Sequence, residues 1–205
     1  MALPQSLRTS VTPQELELIA SEQLVEILPL ISMEKTAFIS GAYGPLRPPA
    51  KCRIPLWVAI NLKLKKKCHI VPPDWLSVEF LQERLAHETG QPEFSRLPFR
   101  FTEIAKVILD IAPDDVPSAE RVRSLLKDLR EARQAKSREG LAKLDHSELS
   151  VSATPYDRMV SVRLICQLPN LCSLEINEIR PFFIHAMGVF TRLSRVKEDR
   201  VTNEP

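Results

Sequence analysis

Few side chains in this sequence have the types and spacing that catalysis needs. Its four histidines lie far apart: His69, His87, His146 and His185. We find no phosphate-binding loop, dinucleotide-binding loop, metalloprotease motif or nucleophile elbow. Asp114 and Asp115 form an acidic pair, but nothing supplies a partner acid, base or metal for it. Because the pair lies just before a predicted helix, where the helix dipole stabilises carboxylates, we interpret it as structural and predict that the protein is not an enzyme.

The cysteines and the composition predict a folded intracellular protein with reduced thiols. The sequence has four cysteines: Cys52, Cys68, Cys166 and Cys172. No two of them have CxxC spacing. Apolar residues make up 44% and charged residues 26% of the 205 residues, as in ordinary globular domains. The net charge of +2 does not suit bulk wrapping of nucleic acid. We predict no cofactor, no metal site, no membrane span and no secretory signal.

A basic stretch over residues 51–67 could bind an anionic partner. It contains six basic residues and no acidic one: Lys51, Arg53, Lys63, Lys65, Lys66 and Lys67. One interpretation is a patch that contacts DNA or an acidic partner, formed by Lys63 and by the three lysines 65–67. The other is that these three lysines complement the C-terminus of a helix. The sequence leaves both interpretations open.

The elements before residue 55 predict a small α+β domain. Thr12, Pro13 and Glu15 form a capping-box start for a helix that we expect to end at Pro29. Residues 30–40 and 50–54 are predicted strands, and residues 41–45 are a predicted turn. We therefore assign residues 1–54 to a first domain.

The pattern becomes helical after residue 55. Helices are predicted over 56–67, 77–89, 98–111 and 118–144, followed by a last helix over 177–195. Residues 147–173 have no helical period and are predicted to be a long loop or insertion, and residues 196–205 a flexible tail. Residues 55–195 are therefore assigned to a helical, bundle-like second domain. The fold class predicted is mainly α, or α+β when the first domain is included.

The last predicted helix is apolar around most of its circumference. Such a helix is buried either inside a large core or between chains. The helical part of this chain is modest in size, so we expect a partner chain to cover the helix. The predicted interface consists of one stripe: Ile179, Phe183, Ala186, Phe190 and Leu193. The alternative is that this stripe belongs to the chain's own core.

Several motifs resemble one family of replication proteins. Residues 55–63 read PLWVAINLK, and residues 72–76 read PPDWL. The runs over 122–133 and 174–181 follow in the expected order. Together these segments resemble the Psf-two family, one subunit of the eukaryotic GINS complex. The segment over 147–171 departs from the family because it is longer than in the shorter members.

The resemblance implies a small β-containing domain followed by a helical domain, without catalytic activity. It implies a nuclear heterotetramer with Sld-five, Psf-one and Psf-three. It further implies that this tetramer joins the MCM ring and the Cdc-forty-five protein as the replicative helicase, with an indirect link to DNA polymerase epsilon. The alternative hypothesis is a free-standing nucleic-acid-binding protein that uses the 51–67 basic stretch.

Overall fold

The computed structural model describes residues 11–142, 170–182, 184–185 and 188–189. A small antiparallel sheet with its covering helix comes first, and longer helices follow, which confirms the predicted fold class. The helices and strands are α1 Pro13–Ala20, β1 Leu24–Pro29, β2 Thr36–Phe38, β3 Gly41–Tyr43, β4 Cys52–Pro55, α2 Leu56–Leu64, β5 Cys68–Ile70, α3 Val78–Gly90, α4 Phe101–Ile111 and α5 Ala119–Ala142. A last described helix, α6, runs over residues 173–182. Short 3-10 turns occur at Asp74–Leu76 and Pro113–Asp115.

Helix α1 begins as its capping signal predicts. The Thr12 hydroxyl accepts a hydrogen bond from the Glu15 N–H, and the Glu15 carboxylate accepts one from the Thr12 N–H at 2.8 Å. The predicted continuation to Pro29 is wrong, since the helix ends at Ala20. Residues 24–29 are a strand whose alternate side chains are buried. The apolar residues of this strand happen to continue the helical spacing of α1. The sequence pattern therefore predicts a longer helix where the structure has a strand with a period of two.

The main sheet has the strand order β4–β1–β5, with both pairings antiparallel. Val25 lies opposite Ile54, and Ile27 lies opposite Ile70. Helix α2 packs against all three strands, so one face of the sheet is buried. The sheet spans residues 24–70 and crosses the division that we predicted after residue 54, because β5 comes from the segment assigned to the helical domain.

Helix α2 is shorter than predicted. It ends at Leu64, where Lys66 adopts a left-handed conformation with φ 54° and turns the chain into β5. Trp57 on α2 is half-buried and makes an edge-to-face contact with Phe38 of the β2–β3 hairpin, with ring centroids 5.2 Å apart. Gly41 begins β3, so the predicted turn over 41–45 is wrong: the hairpin turns at residues 39–40.

The helical part packs apolar side chains from α3, α4 and α5 into one continuous core with the sheet. Ser77 caps α3 as expected, and its hydroxyl accepts a hydrogen bond from the Phe80 N–H at 3.3 Å. Helix α4 begins at Phe101, three residues later than predicted. The fully or almost fully buried residues of α4 and α5 include Phe101, Ile104, Ile108, Val122, Leu125 and Leu129.

Helix α6 begins at residue 173, four residues earlier than predicted. Glu175 explains this start, because its carboxylate accepts a hydrogen bond from the Cys172 N–H at 2.9 Å at the head of the helix. Residues 147–169 of the loop predicted over 147–173 lie outside the described residues. Residues 170–172 are described and lead into α6. The predicted tail over 196–205 also lies outside the described residues.

Candidate interaction surfaces

The structure separates Lys63 from the other lysines of the basic stretch. Its Nζ lies 2.8 Å from Asp114 Oδ2 and 2.8 Å from Asp115 Oδ2, and only 10% of its side chain is exposed. Lys63 is thus engaged within the chain and does not present a free charge to DNA or to an acidic partner. The lysines 65–67 form the exposed turn between α2 and β5.

Asp115 joins the helical part to the edge of the sheet. One carboxylate oxygen accepts a hydrogen bond from the Ile70 N–H at 2.7 Å, and the other lies 2.8 Å from His69 Nδ1. Burial opposes ionisation of this carboxyl, but the hydrogen bonds from Lys63, His69 and the Ile70 N–H hold its pKa below the ordinary value. The acidic pair is structural, as predicted, but for a different reason. Its carboxylates bind groups that lie 45 to 52 residues away in sequence, and these contacts rather than the dipole of the next helix hold them.

A buried ion-pair cluster holds α6 against α3 and α5. The Arg133 side chain on α5 is fully buried and bonds to Glu88 on α3 and to Glu175 on α6. Its Nη2 lies 2.8 Å from Glu175 Oε2 and also donates to the Asn170 carbonyl, while Nη1 donates to the Ser95 carbonyl. The three helices are therefore positioned by one guanidinium group whose planar donors each have an acceptor.

Lys136 on α5 extends the cluster. It also binds Glu88, and its side chain is only 15% exposed. Burial alone would raise the pKa of Glu88, but hydrogen bonds from Lys136 and Ser95 and the charge of Arg133 hold that pKa below its ordinary value. The excess of basic residues on α5 is thus partly internal. No local pattern in the sequence distinguishes Arg133 and Lys136 from the solvated cations of the same helix.

Helix α6 presents apolar side chains at the surface. Ile176 is 44% exposed and Phe182 is 51% exposed; beyond α6, Val189 is 41% exposed. Ile179, which belongs to the predicted interface, is half-buried and lines a groove of about 230 Å³ between α5 and α6 together with Gln134. The other predicted interface residues lie outside the residues whose side chains the structure describes: Phe183, Ala186, Phe190 and Leu193. The interface therefore stays a prediction.

The described residues contain no group of three or more metal-ligating side chains. Within the same ranges, no helix is long and apolar enough to cross a bilayer. Cys68 and Cys172 are buried free thiols, and burial raises their pKa values to about 11 and about 12. These two cysteines are packing residues rather than nucleophiles.

Two family models match the chain in succession. The model described as the PSF2 N-terminal domain matches residues 12–71, the part that contains the sheet. The model described as the GINS complex protein helical bundle domain matches residues 75–193. The two matches define a class of chain in which a small sheet domain precedes a helical bundle, as the fold shows.

Relatives of nearly the same length support the same assignment. DNA replication complex GINS protein psf2 from Schizosaccharomyces pombe is 35% identical over 97% of this chain and 100% of its own length. The PSF2 proteins of Candida albicans and Homo sapiens are 37% and 34% identical, over 99% and 87% of this chain and 93% and 90% of their own lengths. This chain belongs to the PSF2 family of GINS complex proteins, which confirms the resemblance found in its motifs.

Proposed function

We propose that this chain is a non-catalytic scaffold subunit of a GINS heterotetramer that acts in chromosomal DNA replication in the nucleus. Its partners would be Sld-five, Psf-one and Psf-three, and the tetramer would join the MCM ring and the Cdc-forty-five protein in the replicative helicase. The link to DNA polymerase epsilon would be indirect. Family membership supports the complex, since the relatives carry the name of a GINS replication protein.

The observation that carries the scaffold role is the apolar surface of α6. The head of α6 contributes Cys172 to the core that the sheet and α3 to α5 form, and yet Ile176 and Phe182 further along α6 are about half exposed. Exposed apolar side chains next to a groove mark a surface that another chain covers. We also propose that the first domain ends near residue 71, after β5 has completed the sheet.

The test is co-expression with the other three subunits, followed by size-exclusion chromatography with mass measurement. We expect the chain to elute in an equimolar tetramer and to be a poor monomer when expressed alone. Ile179→Asp should release it from the complex, because an unpaired carboxylate in a dry interface costs on the order of several kcal/mol. Phe183→Asp and Phe190→Asp, in the same predicted stripe, should do the same.

Helical content separates the interface from an internal core. Loss of the partners with retained helicity supports the scaffold interface, whereas loss of both shows that the stripe belongs to the chain's own core. A soluble monomer with salt-dependent DNA binding would instead favour the free-standing nucleic-acid-binding protein, because phosphate contacts give a steep salt dependence.

A further inference from the structure

The sheet has an outer face that α2 does not cover. In β1 the side chains alternate between the two faces, so Val25 and Ile27 are buried under α2 while the residues between and beside them point outward. Leu24 is 54% exposed and Leu30 is 51% exposed, and Leu28 is half-buried. We use the term outer sheet face for the surface formed by these leucines, by Glu26 on the same strand, and by three residues across from the strand: Arg53, Lys67 and His69.

The cross-strand neighbours make the outer sheet face basic. Arg53 of β4 lies opposite Glu26, and its side chain is 72% exposed. Lys67 lies opposite Leu30, whose N–H donates to the Lys67 carbonyl at 2.9 Å. His69 lies opposite Leu28. The only acidic side chain of the face, Glu26, is neutralised by Arg53 at 3.0 Å.

The basic turn before β5 continues this surface. Lys65 and Lys66 are exposed, and no ion pair connects either of them to the described part of the chain. The acidic pair that borders β5 is already engaged, since Asp114 binds Lys63 and Asp115 binds both Lys63 and His69. The turn therefore adds positive charge beside the exposed leucines without a compensating acid.

The chemistry of the face favours a polypeptide over single-stranded nucleic acid. Sheets that bind single strands stack bases on exposed aromatic rings. This face carries leucines instead, and the rings of Trp57 and Phe38 pack against each other between α2 and the hairpin. Strand addition at β5 is also blocked, because Asp115 already occupies the outward Ile70 N–H.

We propose that the outer sheet face binds an acidic amphipathic segment of a partner protein. Aliphatic side chains of that segment would cover Leu28 and Leu30, and its carboxylates would pair with Lys65 and Lys67, whereas Arg53 stays paired with Glu26. Charge complementarity and the alternation of leucine with basic residues fit such a segment. This surface belongs to the sheet domain, so it is separate from the α6 surface on which the scaffold function depends.

The experiment uses the full chain purified with its partner subunits. The probe is a fluorescein-labelled synthetic helix of about five turns, with leucine along one face and glutamate elsewhere. Fluorescence anisotropy measures its affinity. We expect the Lys65→Glu/Lys67→Glu double variant to bind about tenfold more weakly, and Leu30→Ser about threefold more weakly. Arg121→Glu, an equally exposed charge reversal on α5, should bind within about twofold of the wild type.

The proposal also requires that added salt weaken the interaction and that a probe with lysine in place of glutamate fail to bind. Equal binding of the probe by wild type and double variant would overturn it. Tighter binding of a DNA oligonucleotide, lost in the double variant but unaffected by Leu30→Ser, would overturn it in favour of a nucleic-acid surface. Self-association that the same variants abolish would overturn it in favour of a second copy. Co-purification of each variant with the partner subunits verifies its fold. It also keeps a failure of this proposal distinct from a failure of the scaffold function.

Discussion

Arg133 is the residue whose replacement should do the most damage to the helical domain. Its side chain is fully buried, and its guanidinium donates five hydrogen bonds, to Glu88, to both oxygens of Glu175, and to the carbonyls of Ser95 and Asn170. Arg133→Met fills most of the volume but leaves two buried carboxylates without this partner. Breaking a buried pair in this way costs about 3–5 kcal/mol, a large part of the stability of about 5–15 kcal/mol of a typical domain.

The pH dependence of this loss distinguishes charge from packing. The pKa of Glu88 is held below its ordinary value in the folded chain, so the stability that it contributes is present above the unfolded pKa and is lost as the pH falls through the folded pKa. Without Arg133 the Glu88 carboxylate loses a stabilising charge. The difference in the free energy of unfolding between variant and wild type should therefore be largest near neutral pH and shrink below about pH 4, where carboxylates become protonated.

Urea unfolding followed by far-ultraviolet circular dichroism measures this difference. Arg133→Lys should recover only part of the stability, because an ammonium offers three donors in place of five. Arg130→Met is the matched control on the same helix. The ion pair of Arg130 with Glu178 is exposed, so its loss should cost less than about 1 kcal/mol. A loss below about 1 kcal/mol for Arg133→Met, or a loss that does not change with pH, would refute the reasoning.

Three further predictions concern the sheet domain and the buried thiols. Asp115→Asn should destabilise the chain by about 1–3 kcal/mol near neutral pH and speed hydrogen exchange at the Ile70 amide. The loss of stability should diminish in acid, because the pKa of Asp115 is lowered in the fold. An exchange rate at Ile70 equal to that of the wild type would contradict this prediction. Trp57→Ala should lower the thermal midpoint of the assembled complex, with a cost of about 3 kcal/mol because the ring is only half-buried, and an unchanged midpoint would exclude a packing role. Cys68 and Cys172, whose pKa values are raised to about 11 and about 12, should react with a thiol reagent near pH 8 only after unfolding; mass spectrometry of the labelled native chain would detect any earlier reaction.

Local capping signals predicted the starts of α1 and α3, whereas α4 and α6 begin three and four residues away from their predicted starts. Thr12 and Ser77 were identified because a cap is encoded within four residues. The strand over 24–29 was missed, because its apolar residues match a continued helix as well as a strand, and only pairing with β4 and β5 decides between the two.

Long-range contacts could not be predicted. Lys63 is identical in type to the lysines 65–67, and only the position of Asp115 across the fold removes it from the surface. Arg133 was similarly hidden among the cations of α5, since its two carboxylate partners lie more than 40 residues away on other helices. Residue type therefore predicted the presence of charge, but tertiary pairing determined which charges remain available to partners.

The contact between Asp115 and the edge of β5 has a consequence for synthesis of the chain. The sheet is completed when residue 70 has emerged, but the outward Ile70 N–H has no partner until residue 115 follows. At ribosomal speeds of about 5–20 residues per second, the 45 intervening residues take on the order of several seconds. During this interval the nascent chain carries an open strand edge, which is a site for strand addition between neighbouring chains on one messenger. Chaperone dependence should therefore be greatest for ribosome-bound chains stalled between residues 70 and 115, and should fall once Asp115 has emerged.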